Sequence, residues 1–330
     1  KEKTLNILFD FQHPVDVNFF KQSIVKLDGN GNNIFLTYRP RGNLEKILKY
    51  ELPGFSCHSV GKHGRTFLTK VIYNLYREAE LLKYYKKNSI EITCGFGPLA
   101  TISSKYFKIP SLVFEDDFEY KINFYYARVF ATRHIMPNIF PVKGKNVYYY
   151  NGFKELAYLH PNYYSPNIRS LEEYDLNRGE YIFIREVAGV SLNYKNKKSR
   201  LNEIIQNIKI FGLKVVLSLE DDKLKDKFRG DNIILEEPVK DIKSIMAFAA
   251  LTITSGDTMA RESCLLGTNT IYTGDRKMLI HEDFYNVGIM YNEVEIPQII
   301  KCISKLLKYK ENNEKRDIVN DMILNKWDDM

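Results

Sequence analysis

Short apolar runs that end in polar loops, each followed by apolar residues at helical spacing, recur along this chain and constrain its fold more than any other feature. Leu5 to Phe11 is such a run; after His13 and Pro14 come Val17, Phe19, Phe20, Ile24 and Leu27, spaced to line one helix face. The same order predicts strands over 33–37, 90–93 and 111–114, helices over 43–50, 67–87 and 100–107, and a glycine-rich turn at Cys94–Pro98. Strands alternating with helices imply a parallel sheet covered on both faces, with ligands beyond the carboxyl ends of its strands. Between about Tyr148 and Leu171 the rhythm breaks: Gly152, Pro161 and Pro166 lie in a Tyr- and Asn-rich stretch that reads as a connector. It then resumes, with strands predicted over 180–184, 214–217, 231–235, 251–254 and 270–272, and helices over 201–211, 242–250 and 258–266. The expected fold class is α/β, with two Rossmann-like parallel-sheet domains, 1–165 and 166–330, facing each other across a cleft, the second carrying terminal helices.

A chain of 330 residues can bury two cores, and 44% hydrophobic against 27% charged residues excludes the disordered class. The net charge of +7 suits acidic small molecules, a membrane surface or nucleic acid. Aromatic and basic residues are spread along the chain with no nucleic-acid module, so no nucleic-acid partner is expected. Cys57, Cys94, Cys264 and Cys302 lie far apart without a C-x-x-C pair, which reads as reduced core thiols in a cytoplasmic protein with no metal site. The longest apolar stretch, around 245–253, is too short to cross a bilayer. The helix Lys70 to Lys87 mixes Tyr and Leu with Lys and Arg. It reads either as a core helix with a solvated face or as a basic amphipathic helix making peripheral contact with the inner face of a membrane.

The segment 236–272 is the most informative. A buried strand, LTIT, runs into Ser255, Gly256, Asp257 and Thr258, which open a helix whose free N–H groups and dipole favour an anion such as a diphosphate. Glu262 lies four residues after Thr258, on the same face, where a carboxylate can accept from ribose hydroxyls. The plainer alternative is a capped helix with Glu262 in solvent. In the first half, Glu115, Asp116, Asp117 and Glu119 follow the strand SLVF; Asp116 is the expected acceptor base or base-orienting group, against a solvated acidic loop. The loop Gly61-Lys62-His63-Gly64 is basic and glycine-flanked, either a substrate loop in which Lys62 and His63 meet phosphate or a plain surface loop.

The segments FDFQHPVDVNFFK (9–21), GKHG (61–64), CGFGP (94–98), YNGFKELAYLHPNYYSP (150–166) and GDTMARESCLLGT (256–268) together resemble an uncharacterised prokaryotic family. That family is related to GT-B glycosyltransferases of the peptidoglycan N-acetylglucosaminyltransferase type and to UDP-N-acetylglucosamine 2-epimerases. The resemblance implies a GT-B fold and a glycosyltransferase of surface polysaccharide or glycoconjugate assembly. It also implies a nucleotide-diphospho-sugar substrate, UDP-linked, no further cofactor, and a glycan or lipid-linked acceptor. It makes His13 a catalytic candidate on the acceptor side, as base or as positioning group. Arg185, Ser218, Glu237, Val239, Ser255, Gly256, Thr258, Met259 and Glu262 become the nucleotide-sugar set, with Arg185 suited to phosphate by its planar fork. Gly256 and Asp257 stand where the family has Ser and Gly, and an Asp so close to a diphosphate repels it unless turned away. The alternatives are a 2-epimerase, whose His-Arg-x-Glu-Asn segment has only Ile184-Arg185-Glu186 as its counterpart, and a non-catalytic sugar-nucleotide-binding subunit.

Overall fold

The computed structural model of the chain describes residues 3–62, 67–97, 101–119, 121–186, 198–219, 222–230, 232–236, 239–308 and 313–330. It forms two compact units. Unit 1 comprises Lys1–Tyr158 with Met278–Ile280 and Asp328–Met330, and unit 2 comprises Leu159–Lys277 and His281–Trp327.

Unit 1 is built on β1 (Asn6–Phe11), β2 (Asn33–Tyr38), β3 (Cys57–Ser59), β4 (Ile92–Phe96), β5 (Ser111–Phe114), β6 (Arg133–Pro137) and β7 (Val147–Tyr150). All pairings are parallel, in the order β3-β2-β1-β4-β5-β6-β7, so the direction of winding reverses between β1 and β4. The two faces of β1 differ because side chains alternate along a strand. Phe9 and Phe11 stack edge-on against Phe20 of the helix Pro14–Gly29, whose Phe19 meets Phe96 and Phe114. Leu8, on the opposite face, joins Leu81 and Tyr85 of the helix Phe67–Asn88.

Unit 2 carries β8 (Tyr181–Glu186), β9 (Lys214–Leu219), β10 (Ile233–Ile234), β11 (Leu251–Thr254), β12 (Thr270–Tyr272) and β13 (Met290–Asn292). They are parallel in the order β10-β9-β8-β11-β12-β13, with the reversal between β8 and β11. Ile182, Ile184, Val215, Leu217, Leu251 and Ile253 pack on the helices Lys198–Lys209 and Ile296–Lys308 through Ile204, Ile208, Ile299 and Ile303.

Three expectations change. The glycine-rich turn at Cys94–Pro98 is mostly strand: β4 runs to Phe96, and Gly95 is there because a Cβ would lie 3.1 Å from the Asp10 carbonyl oxygen. Gly97, with φ +70°, follows the strand and is the last described residue of that segment. The stretch read as a connector contains β7, and every residue from Phe153 to His160 is buried. The boundary between the two units falls inside it, between Tyr158 and Leu159, so the segment connects them while its side chains pack. The strand predicted over 231–235 shrinks to Ile233–Ile234 at the sheet edge. β6 is absent from the sequence reading because RHIMP lacks strand composition; pairing with β5 and β7 makes it one, with His134 buried against Phe124 at 5.0 Å between ring centroids.

Candidate functional site

In unit 2 the predicted residues gather where the sheet reverses direction. Arg185 ends β8 beside Thr254 of β11, and its backbone carbonyl accepts from the Ser255 N–H at 3.3 Å. Its guanidinium donates to the Ser218 hydroxyl at the end of β9, at 2.6 Å. The helix Asp257–Leu265 starts directly after Gly256, which is its N-cap in extended conformation and brings no side chain to the helix end. Thr258 and Met259 occupy its first turn, half-buried, and Glu262 is buried one turn deeper. The alternative of a solvated Glu262 is therefore removed. Val239 lies half-buried beyond β10, and no described contact joins it to Arg185. Glu237, like His63, lies outside the described residues.

Asp257, the first residue of this helix, has its charge engaged. Its carboxylate accepts from the Tyr272 hydroxyl and pairs with Arg276 at 2.9 Å. Burial first, and then the Asp257 charge, raise the Tyr272 phenol further above its ordinary range, so it stays a donor. Gly274 is required here, because a Cβ would collide with the Tyr272 hydroxyl. The negative charge that the sequence placed at an anion site is thus matched by Arg276 and a phenolic hydrogen bond. Neither Tyr272 nor Arg276 carries a local signal of that role.

In unit 1, His13 precedes the helix Pro14–Gly29 at the carboxyl end of β1. The Asp16 carboxylate accepts from the Gln12 and His13 backbone N–H groups at 3.0 and 2.9 Å and so fixes that loop. Desolvation by the surrounding protein, followed by the charges of Arg41 and Lys154, lowers the His13 pKa to about 4, with Asp116 acting in the opposite sense. His13 is exposed, and water at the ring screens the two cations. His13 is neutral at pH 7 and able to accept a proton.

Asp116, expected as acceptor base or base-orienting group, forms a buried ion pair with Lys154 at 2.6 Å, and the Lys154 ammonium also lies 5.2 Å from the centre of the Phe96 ring. That pairing favours an orienting over a proton-accepting role. Lys154 was legible only as an unexplained charge inside the apolar stretch FKELAYL. Glu115, one residue before, is the unexpected group. Burial, then the neighbouring Asp116 and Asp117, raise its pKa to about 8, and its Oε2 has no hydrogen-bond partner among the described residues.

Asp10, near the end of β1, anchors a buried network. Its Oδ1 accepts from Thr37 Oγ1 at 2.8 Å and from Arg77, which also donates to the Val60 carbonyl at 3.3 Å. Gly61 has φ +78°, and a Cβ there would come within 2.9 Å of the Arg77 side chain. The glycine that suggested a flexible substrate loop is thus also a packing requirement. Lys62, next to it, is exposed.

Glu115 and Asp16, whose pKa burial raises to about 7, make stability depend on pH. Unfolded, both ionise near pH 4, whereas folded they hold their protons to about pH 7–8, so the folded state binds more protons in between. Up to about pH 6.5 His13 and His134, both lowered to about 4, act in the opposite sense, so the net fall in stability should appear as pH rises from about 6.5 to 8, and Glu115→Gln should flatten it. Melting curves at about pH 6.5 and pH 8 check this; an unchanged slope in the variant would mean that Glu115 is ionised in the folded protein.

Among the described residues no group of three or more His, Cys, Asp or Glu could hold a metal ion, and no helix is long and apolar enough to cross a membrane. Cys94, Cys264 and Cys302 are buried free thiols, while Cys57 is half-buried.

Residues 5–327 match the family described as a protein of unknown function, DUF354. An uncharacterized protein of Methanocaldococcus jannaschii is 24% identical over 331 residues, covering 94% of this chain and 92% of that protein. Among solved structures, the UDP-GlcNAc 2-epimerase of Methanocaldococcus jannaschii in complex with UDP-GlcNAc and UDP aligns with a TM-score of 0.73 at 14% identity, over 97% of this chain and 100% of that one. The UDP-N-acetylglucosamine 2-epimerase of Rickettsia bellii gives 0.71 at 14% identity, over 98% and 95%. MurG of Acinetobacter baumannii gives 0.59 at 15% identity, over 96% and 94%. At such identities the likeness is one of fold, and the fold is GT-B, with two Rossmann-type parallel-sheet units.

Proposed function

The chain belongs to the DUF354 family, and from that premise we propose that it is a glycosyltransferase whose unit 2 binds a nucleoside-diphosphate sugar, UDP-linked. The observation that carries this reading is the helix end at Gly256. There a neutralised Asp257, the Arg185–Ser218 pair and the buried Glu262 converge at the switch point of one parallel sheet. In this reading the backbone N–H groups at the helix start and Arg185 meet the diphosphate, and Glu262 accepts from the ribose hydroxyls. Charge then develops on the departing diphosphate as the acceptor hydroxyl displaces it at the anomeric carbon, and the same donors stabilise it. Unit 1 supplies the acceptor-side group: His13, held neutral, takes the hydroxyl proton.

A second reading, 2-epimerisation, draws support from Glu115. A carboxyl group protonated near neutrality suits proton transfer at a sugar carbon, and the epimerase structure above contains UDP-GlcNAc. Incubating the protein with UDP-N-acetylglucosamine and following the C2 proton in deuterated water separates the two, because exchange at C2 belongs to epimerisation alone.

Calorimetry with UDP tests the donor site. Glu262→Ala should weaken UDP by about 1.5–3 kcal/mol for each charge-assisted hydrogen bond lost, roughly 10- to 150-fold. Wild-type affinity in a folded variant would remove Glu262 from the site, and no heat with any nucleotide would end the reading.

A further inference from the structure

Right-handed crossovers from β3 to β4, β4 to β5 and β5 to β6 all advance in one direction across the unit 1 sheet. They place the helices Phe67–Asn88, Thr101–Tyr106 and Lys121–Phe130 side by side on one face. Their outer surface is apolar to a degree that the opposite face is not. Ile72, Leu75 and Tyr76 project from the first helix, Tyr106 from the second, and Tyr125 and Val129 from the third; Leu75 is 65% exposed and Tyr106 73%. On the other face, the helices Pro14–Gly29 and Leu44–Glu51 expose only Val25 and Tyr50 among large apolar side chains. Scattered exposed apolar residues need no explanation, but six on three adjacent helices form a patch.

The charge on these helices has one sign. The stripe that begins with Ile72, Leu75 and Tyr76 continues at helical spacing into exposed Lys83, Lys86 and Lys87, and Lys108 and Lys121 are exposed beside the other two helices. The acids in the three helices are Glu78, buried against Ser103, and Glu80, which accepts from the Gly61 N–H at 2.7 Å. The apolar band is edged by lysines, and the one acid of these helices beside it is Glu80, half-buried and bonded to the Gly61 N–H and the Tyr76 hydroxyl, so the face fits a layer of anionic headgroups over acyl chains. A second copy of the chain fits it poorly, since a two-fold contact would bring these lysines together with nothing to pair them.

We propose that this three-helix face of unit 1 docks on an anionic lipid bilayer, with Leu75, Tyr106 and Tyr125 entering the interface and Lys83, Lys86 and Lys87 meeting lipid phosphates. The inference does not depend on what unit 2 binds. The full chain should sediment with phosphatidylcholine vesicles that contain phosphatidylglycerol, at least tenfold more strongly than with phosphatidylcholine alone. Leu75→Glu with Tyr125→Glu should lower that binding at least tenfold, as should Lys83→Glu, Lys86→Glu and Lys87→Glu together. The altered side chains are exposed, so melting temperature and UDP affinity should stay at wild type in both variants. Wild-type protein that remains in the supernatant, or variants that bind vesicles as wild type does, would overturn the proposal. So would a dimer, seen by analytical ultracentrifugation, that Leu75→Glu dissociates, because it would give the face to a second copy.

Discussion

Arg77→Met is expected to destabilise unit 1 by about 3–5 kcal/mol, the usual result of removing one partner from a buried ion pair. Arg77 and Asp10 are each 1% exposed, and the substitution leaves the Asp10 carboxylate with only the Thr37 hydroxyl. The Val60 carbonyl loses its guanidinium donor as well. Converting both partners, Arg77→Met with Asp10→Asn, should recover part of the loss, because no uncompensated charge then stays in the core. Urea unfolding measures both variants. A loss below about 1 kcal/mol in the single variant would show that the carboxylate protonates or reaches water when Arg77 is gone, and that the pair contributes little.

The second large effect concerns turnover. In the transferase reading His13→Asn should lower kcat by about 10²- to 10⁴-fold, the usual contribution of a general base, and leave UDP affinity near wild type. The pH profile gives the sharper check. With the His13 pKa lowered to about 4, the imidazole is unprotonated through the neutral range, so activity should fall on the acid side only near pH 4 rather than near 6.5. Arg41→Gln removes one of the cations that lower it and should move that limb upward. A wild-type limb near 6.5, or an upward limb that survives His13→Asn, would transfer the titrating role to another group. Glu115 is then the first to examine, with its orphaned Oε2 and its pKa near 8.

The alternation of strands and helices and the helix start after LTIT are legible in the amino-acid order alone. Both are local: apolar periods of 2 and 3.6 are set by the backbone, and an N–H-rich helix end follows from where the helix begins. Strands over Ser111–Phe114, Leu251–Thr254 and Thr270–Tyr272 therefore fall where the pattern puts them. Arg185, Ser218, Ser255 and Glu262 gather because parallel strands deliver their carboxyl ends to one edge. The electrostatic state of the charged groups, by contrast, is set by the folded chain. Asp257 reads as an obstacle to an anion until Tyr272 and Arg276, 15 and 19 residues on, come round to hold its carboxylate. Asp116 reads equally as an acceptor base or a base-orienting group until Lys154 arrives from the connector segment to pair with it, while Glu115 beside it forms no such ion pair among the described residues and its pKa rises to about 8. A side chain's charge depends on which partners reach it and how much water is excluded around it, and both are fixed by residues distant in the chain and brought near by the sheet.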